Sequence, residues 1–195
     1  SFNKVGVDAK ISSSVEEIVS SNSLVLPGVG AFGTGMKELK KRKLISPILN
    51  HITDKKPFLG ICLGMQMLYD TSEEKGLNKG LGIIRGDIIK VPYKNKFSDK
   101  IKIPHIGWSS LQASSYNNWN ESILKTTKQG EYFYFVHSYM AQNFNKYEVL
   151  AVTNYNKVEI ISAVKKENTY GLQFHPENSS ESGLEIIEQF CKIYN

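Results

Sequence analysis

The feature that most constrains the fold is a cysteine between two glycines at the end of an apolar run. The run Phe58 to Ile61 is typical of a buried strand, and Met65 to Tyr69 follows as a short helical segment. The sequence Gly60-Ile61-Cys62-Leu63-Gly64 joins the two. Glycines two residues on either side let a strand and a helix approach without Cβ clashes. We therefore expect a sharp strand-to-helix turn with Cys62 at its apex.

This turn makes Cys62 a candidate nucleophile. A side chain at the apex would project above the sheet edge at a helix N-terminus, where the partial positive charge favours thiolate over thiol. The backbone N–H of Leu63 would point to the same place and could donate to an oxyanion. The alternative is a small buried core residue, the common state of a free cysteine. Cys191, on an apolar helix face without such a turn, is predicted to be core.

A thiol nucleophile needs an imidazole to move its proton, and the chain has four histidines. His51 is predicted to be an exposed residue in the last turn of a helix. His105 and His137 lie in apolar strands and are also compatible with satisfied core histidines. His175 is different, because it ends a strand and begins a rigid turn.

The turn His175-Pro176-Glu177 supplies the second and third groups of a triad. Residues i and i+2 share one face of an extended segment, and Pro176 biases His175 towards extended geometry. Glu177 could then hold the imidazole in the required tautomer and stabilise the imidazolium. A turn with an incidental histidine and glutamate is the alternative.

The order of elements predicts the fold class. Strand and helix signals alternate in the first half, with Val5, Val7 and Ala9 as one strand face and Ser14 to Glu17 as a capping box. Ser46 is predicted as an N-cap with Pro47 in the first helical position. From Gly80 the signal is mostly β, before a closing helix. We expect one α/β domain over residues 1–195, in three layers, with a central mixed, largely parallel sheet flanked by helices.

Composition excludes several function classes. The 195 residues are 41% hydrophobic and 22% charged, as in a globular protein, and no apolar run is long enough to cross a membrane. Two isolated cysteines favour a reducing cytoplasm over a disulfide framework. The net charge of +5 reflects lysines without a nucleic-acid-binding motif, so a solvated face is expected. The alternative is that these lysines attract a phosphorylated metabolite or an acidic partner. The histidines are unclustered, so no metal and no cofactor are expected.

The motifs together resemble a known family. Residues 57–66, followed by His175-Pro176-Glu177, are similar to the class I, or triad, glutamine amidotransferases. Three further motifs narrow the resemblance to the glutaminase subunits of imidazole glycerol phosphate synthases: Pro27-Gly28-Val29-Gly30-Ala31-Phe32, Pro104-His105-Ile106-Gly107-Trp108 and Tyr134-Phe135-Val136-His137-Ser138-Tyr139. The five motifs occur in order over essentially the whole chain.

The resemblance implies a role for each matching residue. Cys62 would be the nucleophile, His175 the acid and base, and Glu177 its orienter. Val29, freed to flip by its glycine neighbours, would provide a second oxyanion N–H beside Leu63. The substrate L-glutamine would be bound by Gly30, Gln66, His137, Ser138 and Tyr139, and Trp108 and Asn178 would lie towards a partner.

The resemblance also implies a partner and a pathway. Ammonia released from glutamine would pass to a (β/α)8 barrel cyclase in a heterodimer, which makes imidazole glycerol phosphate in histidine biosynthesis. Family members usually open with a further strand before the helix that ends near Phe2–Val5, and we expect that strand to have been trimmed or numbered away here. Asn178 and Ser109 stand where the family commonly has lysine and asparagine.

These two departures leave a second pathway open. A paralogous subunit could supply ammonia for an amino or amidino sugar of a surface glycan. A thiol peptidase uses the same three groups, although the glutamine-sized site and the His-Pro-Glu turn argue against it. A non-catalytic binding subunit is disfavoured by the intact Cys62, His175 and Glu177.

Overall fold

The computed structural model describes residues 2–193. The α-helices are α1 Val15–Ser20, α2 Phe32–Lys41, α3 Ile45–Thr53, α4 Leu63–Met67 and α5 Ser180–Lys192. Short 3-10 helices cover Phe2–Val5, Lys146–Glu148 and Pro176–Asn178. The strands are β1 Leu24–Gly28, β2 Phe58–Cys62, β3 Thr71–Ser72, β4 Asn78–Lys79, β5 Asp87–Lys90, β6 His105–Ser110, β7 Gln112–Ala113, β8 Tyr132–His137, β9 Tyr139–Gln142, β10 Val149–Tyr155, β11 Val158–Lys166 and β12 Thr169–Leu172.

The central sheet has the strand order β1-β2-β12-β11-β10-β7. β2 lies between β1 and β12 and is parallel to both, whereas the three remaining pairs are antiparallel. The α/β class and the mixed sheet are confirmed, but the sheet is less parallel than predicted. The reason is that β10, β11 and β12 follow one another with short turns, and such turns give antiparallel neighbours.

Helices cover both faces of this sheet. Phe58 of β2 packs into a core with α1, α2 and α3, while its neighbour Leu59 packs into a second core with Ile186 and Phe190 of α5. Successive strand residues point to opposite faces, so one buried strand contributes to two cores. The carboxyl ends of the parallel strands β2 and β12 lie together, and this edge carries Cys62 and the segment leading to His175.

Two smaller sheets complete the chain. One has the order β4-β3-β5-β9, and the other pairs β6 with β8 in antiparallel register. In the β6–β8 pair, His105 lies opposite His137, Ile106 opposite Val136 and Trp108 opposite Tyr134. No helix within residues 2–193 has the length and apolar character needed to cross a membrane.

Three local predictions were wrong. Residues 5–9 form no strand, because Gly6 takes φ +80° and Val5 and Val7 are only half-buried, so the segment has little apolar surface to bury against the sheet. α3 begins two residues early, with Leu44 rather than Ser46 at its N-cap. His51 is buried, not exposed, because its Nε2 lies 2.9 Å from the carbonyl oxygen of Pro57.

Candidate active site

The turn at Cys62 has the strained geometry expected of an elbow. Cys62 ends β2 with φ 53° and ψ −106°, a backbone conformation that residues with a side chain rarely adopt. A Cβ on Gly60 would lie 2.7 Å from the carbonyl oxygen of Gly64, and a Cβ on Gly64 would overlap the carbonyl oxygen of Leu26. Both glycines are therefore required by close packing between β1, β2 and α4.

The His-Pro-Glu turn is fixed by β8. The His175 N–H donates to the Tyr134 carbonyl at 2.9 Å, and the Ser179 hydroxyl donates to the His175 carbonyl at 2.6 Å. Ser179 also accepts from the Tyr134 N–H at 3.0 Å, which closes a ring of hydrogen bonds around the turn. The backbone of His175 is thus held by Tyr134 of β8 and by Ser179.

The His175 and Glu177 side chains pair directly. His175 Nδ1 lies 2.6 Å from Glu177 Oε1. The pKa of His175 is raised, first by interaction with the Cys62 sulfur and second by the hydrogen bond to Glu177, against the opposing effect of burial. Burial would raise the pKa of Glu177, but the hydrogen bond from His175 and other attractive contacts outweigh it and leave that pKa lowered. Beside the Glu177 carboxylate, the charged form of the His175 imidazole is therefore favoured.

The remaining nitrogen of His175 is available for chemistry. His175 Nε2 is buried and makes no hydrogen bond of acceptable geometry with any described residue. The interaction of His175 with the Cys62 sulfur is nevertheless the largest cause of the raised pKa of this imidazole. Cys62 Sγ instead lies 3.8 Å from the Val136 carbonyl oxygen and 3.8 Å from Gln173 Nε2.

A cavity of about 210 Å³ opens over Cys62. It is lined by residues from four separate segments: Val29, Gly30, Cys62, Leu63, Gln66, Glu74, His137, Ser138 and Tyr139. Every residue predicted for the oxyanion hole or for glutamine contact is among them. Gly28 pairs with Cys62 across β1 and β2, which brings the Val29–Gly30 loop beside the elbow.

Gln66 is held in a defined orientation. Its amide nitrogen donates to the Tyr139 carbonyl at 3.2 Å and to Gln173 Oε1 at 2.9 Å. Both amide protons are used, which directs the amide oxygen away from these partners. Gln173 in turn contacts Cys62, so the pocket wall and the predicted nucleophile share one hydrogen-bond network.

Three residues of the site were missed from sequence. Gln173 lies just beyond β12 and two positions before His175, and a polar residue within the run 171–174 is a signal that could have been read. Glu74 enters the pocket from a loop and accepts from the Phe32 N–H at 2.7 Å. Ser179 holds the His-Pro-Glu turn. Glu74 and Ser179 act through long-range contacts that no local pattern indicates.

The two predicted partner-facing residues lie apart from the pocket. Trp108 is 50% exposed on the outer face of β6, and Asn178 is exposed in the 3-10 helix after His175. Cys191 is half-buried against the second core. Within residues 2–193, no three or more His, Cys, Asp or Glu side chains are grouped so as to hold a metal ion.

The fold and the cysteine at its elbow define a class of protein. The family described as class-I glutamine amidotransferase matches residues 2–193, and the chain belongs to it. Imidazole glycerol phosphate synthase subunit HisH 1 of Legionella pneumophila (strain Lens) is 46% identical over 193 residues, covering 98% of this chain and 91% of that protein. Subunit HisH of Bacillus subtilis (strain 168) is 40% identical over 190 residues, covering 97% and 87%. Within the class, the chain belongs to these HisH subunits.

Solved structures agree on the fold. A crystal structure of a glutamine amidotransferase superposes with a TM-score of 0.69 at 16% identity, covering 97% of this chain and 90% of that one. The glutaminase domain of Trypanosoma brucei CTPS with bound acivicin has a TM-score of 0.60 at 16% identity, covering 91% and 74%. At such low identity the likeness concerns architecture alone.

Proposed function

We propose that this chain hydrolyses L-glutamine to glutamate and ammonia at Cys62, and passes the ammonia to a partner cyclase that makes imidazole glycerol phosphate in histidine biosynthesis. One observation carries the chemistry. His175 Nδ1 lies at hydrogen-bond distance, 2.6 Å, from Glu177 Oε1, and the cysteine at the elbow raises the pKa of His175. Family membership and the names of its relatives support the pathway.

The charge distribution supports an ion-pair mechanism. A raised pKa keeps His175 protonated, so the imidazolium stabilises a Cys62 thiolate. The thiolate attacks the carboxamide carbon of glutamine, and the C–N bond breaks as His175 donates its proton to the leaving amine. Ammonia leaves and a glutamyl thioester remains. Neutral His175 then removes a proton from water, which hydrolyses the thioester to glutamate and restores the ion pair.

An oxyanion hole would form between the two loops that meet at Cys62. The Leu63 N–H follows the nucleophile directly, and Val29 lies in the adjacent loop, beside Gly30 at φ +99°. A Cβ on Gly30 would meet no atom within 4 Å, so space is available for the peptide to turn. Removing one oxyanion donor typically lowers kcat by about 10²–10³-fold.

An exposed apolar face supports the proposal of a partner subunit. Ile106, Trp108, Tyr132 and Val136 are 55%, 50%, 59% and 36% exposed, and all lie on the outer side of the β6–β8 pair. The Trp108 and Tyr134 rings pack edge to face at 6.2 Å. Contiguous aromatic residues of this kind are typical of protein interfaces. We propose that a (β/α)8 barrel cyclase covers this face, that Asn178 lies at its edge, and that the complex is cytoplasmic.

Glutamine hydrolysis by paired cysteine variants tests the catalytic proposal. Cys62→Ala should abolish glutamate formation with and without the cyclase, because no other thiol lies in the pocket lining. Cys191→Ala is the matched control and should keep wild-type activity, since this thiol is packed against α5 neighbours outside the pocket. Undiminished turnover by Cys62→Ala would overturn the assignment.

A second experiment separates histidine biosynthesis from the surface-glycan pathway. The gene should restore growth of a strain that lacks its own glutaminase subunit for histidine biosynthesis. The purified chain should also form a complex with that strain's cyclase, and the Cys62→Ala variant should bind without restoring growth. Binding to the cyclase with no gain in glutamine turnover would contradict the pathway and leave the glutaminase assignment standing.

A further inference from the structure

A chain of three hydrogen bonds runs beneath the β6–β8 pair. Ser109 Oγ lies 2.9 Å from His105 Nε2, His105 Nδ1 lies 2.9 Å from His137 Nε2, and His137 Nδ1 lies 2.8 Å from the Tyr139 carbonyl oxygen. His105 and His137 are buried. Neither the proposed triad nor the proposed oxyanion hole uses Ser109 or His105.

The Tyr139 carbonyl, at the end of this series of hydrogen bonds, determines which group donates at each step. A carbonyl oxygen only accepts, so His137 must carry its proton on Nδ1 and accept at Nε2. His105 must then donate from Nδ1 and accept at Nε2, which leaves the Ser109 hydroxyl as the first donor. One carbonyl thus specifies the tautomers of two imidazoles and the orientation of one hydroxyl.

Gly107 brings His105 and Ser109, the partners in the first hydrogen bond, together. In an extended strand, residues four apart are separated by about 13 Å, which is far for a serine and a histidine to meet. Gly107 lies midway between His105 and Ser109 and takes φ +131°, a conformation suited only to glycine. The strand therefore bends at Gly107, and the two side chains converge on its inner side.

Both imidazoles are kept neutral, as this pattern requires. Burial lowers the pKa of His105 to about 3 and that of His137 to about 4. The His105 ring also stacks between Phe135 and Tyr155, with centroid distances of 4.8 and 3.9 Å. This packing fixes the plane of the ring and so the direction of its N–H.

This series of hydrogen bonds connects the pocket to the exposed apolar face of the β6–β8 pair. At one end, the Tyr139 carbonyl is shared between His137 and Gln66, and both residues line the cavity over Cys62. At the other end, Ser109 follows Trp108, which lies on the outer face of β6. A displacement of β6 would therefore move the Ser109 hydroxyl. This hydroxyl is the first donor in the series of hydrogen bonds that orients His137 in the pocket wall.

We propose that Ser109 and His105 are positioning residues for glutamine, which orient His137 and the Tyr139 carbonyl from beneath and tie that part of the pocket to the face beside Trp108. This inference rests on the proposed function, because it requires glutamine to occupy the cavity over Cys62. Losing one buried hydrogen bond of the chain should weaken glutamine binding by about two- to tenfold.

The test measures glutamine affinity by calorimetry in Cys62→Ala, where no turnover occurs. Ser109→Ala removes the first donor, and His105→Phe keeps the aromatic stack but removes both ring nitrogens. Each should raise the Kd for glutamine, and Ser109→Thr, which keeps a hydroxyl, should restore it. Ser110→Ala is the matched control, because the Ser110 side chain lies outside this series of hydrogen bonds. The Kd of this variant for glutamine should stay at the parent value.

Two further readouts separate positioning from a merely structural role. With Cys62 present, Ser109→Ala should raise the KM for glutamine while kcat changes less than about twofold. Nitrogen-15 shifts should show the Nδ1–H tautomer for both His105 and His137 in the parent protein. Unchanged Kd in both variants, or Nε2–H tautomers in the parent, would overturn the inference. Failure of Cys62→Ala itself to bind glutamine would instead contradict the proposed function, and this inference with it.

Discussion

Replacing Cys62 by glycine should give a more stable protein than replacing it by alanine. At φ 53° and ψ −106°, any residue with a Cβ is strained, by about 1–3 kcal/mol, and alanine retains that strain. Glycine removes it, but costs about 0.4–1 kcal/mol through the greater freedom of the unfolded chain. Both variants lose the same buried thiol and differ only in the alanine Cβ, so the difference between them reflects mainly the backbone.

The net expectation is that Cys62→Gly exceeds Cys62→Ala by about 0.5–2 kcal/mol in free energy of unfolding. Urea titration at equilibrium measures the difference, and in a chain of this size each kcal/mol should move Tm by about 2–4 °C. The matched pair is Lys37→Gly and Lys37→Ala, at an exposed position inside α2. There the order should reverse, with alanine more stable by about 1 kcal/mol. An alanine variant at Cys62 as stable as the glycine variant would refute the claim that the elbow is strained.

Three other outcomes are expected. Gly64→Ala should destabilise the fold by about 3 kcal/mol or more, because the added Cβ would overlap the Leu26 carbonyl. Urea unfolding measures this loss, and near wild-type stability would contradict the packing described for the elbow. Glu177→Gln should reduce stability most near pH 6, because a raised His175 pKa contributes fully below the unfolded value of about 6.5 and is lost as pH rises through the folded value of about 10. Unfolding curves at pH 6 and pH 9 measure this, and an equal loss at both would contradict the ion pair. Trp108→Ala should weaken binding to the cyclase by about thirtyfold, as measured by titration calorimetry, while Tyr147→Ala, an exposed aromatic away from the β6–β8 pair, should bind as wild type.

The parts of the site that follow from local chemistry were predictable. The Cys62 elbow is specified by glycine spacing within five residues, and the pairing of His175 with Glu177 by an extended segment before a proline. The prediction for His51 failed, because its acceptor is a carbonyl of the following loop that no helical pattern reveals. Ser46 failed as an N-cap because α3 had already begun at Ile45.

Long-range contacts explain the rest. Glu74 reaches the pocket only because its carboxylate meets the N–H at the start of α2, and Gln173 joins Gln66 because β12 lies beside β2. The number of parallel strand pairs was overestimated for a different, local reason. β10, β11 and β12 are joined by short turns, and such turns give antiparallel neighbours.

The Tyr139 carbonyl accepts two hydrogen bonds, and its vibrational band can therefore report on the state of the pocket. A carbonyl that accepts from both His137 and Gln66 is more polarised than one with a single donor, so its stretching frequency is lowered. An isotope label at this one carbonyl would shift its band away from the rest of the amide absorption. The label would then report, without a dye or a change of side chain, whether both donors are in place as glutamine or a partner subunit binds.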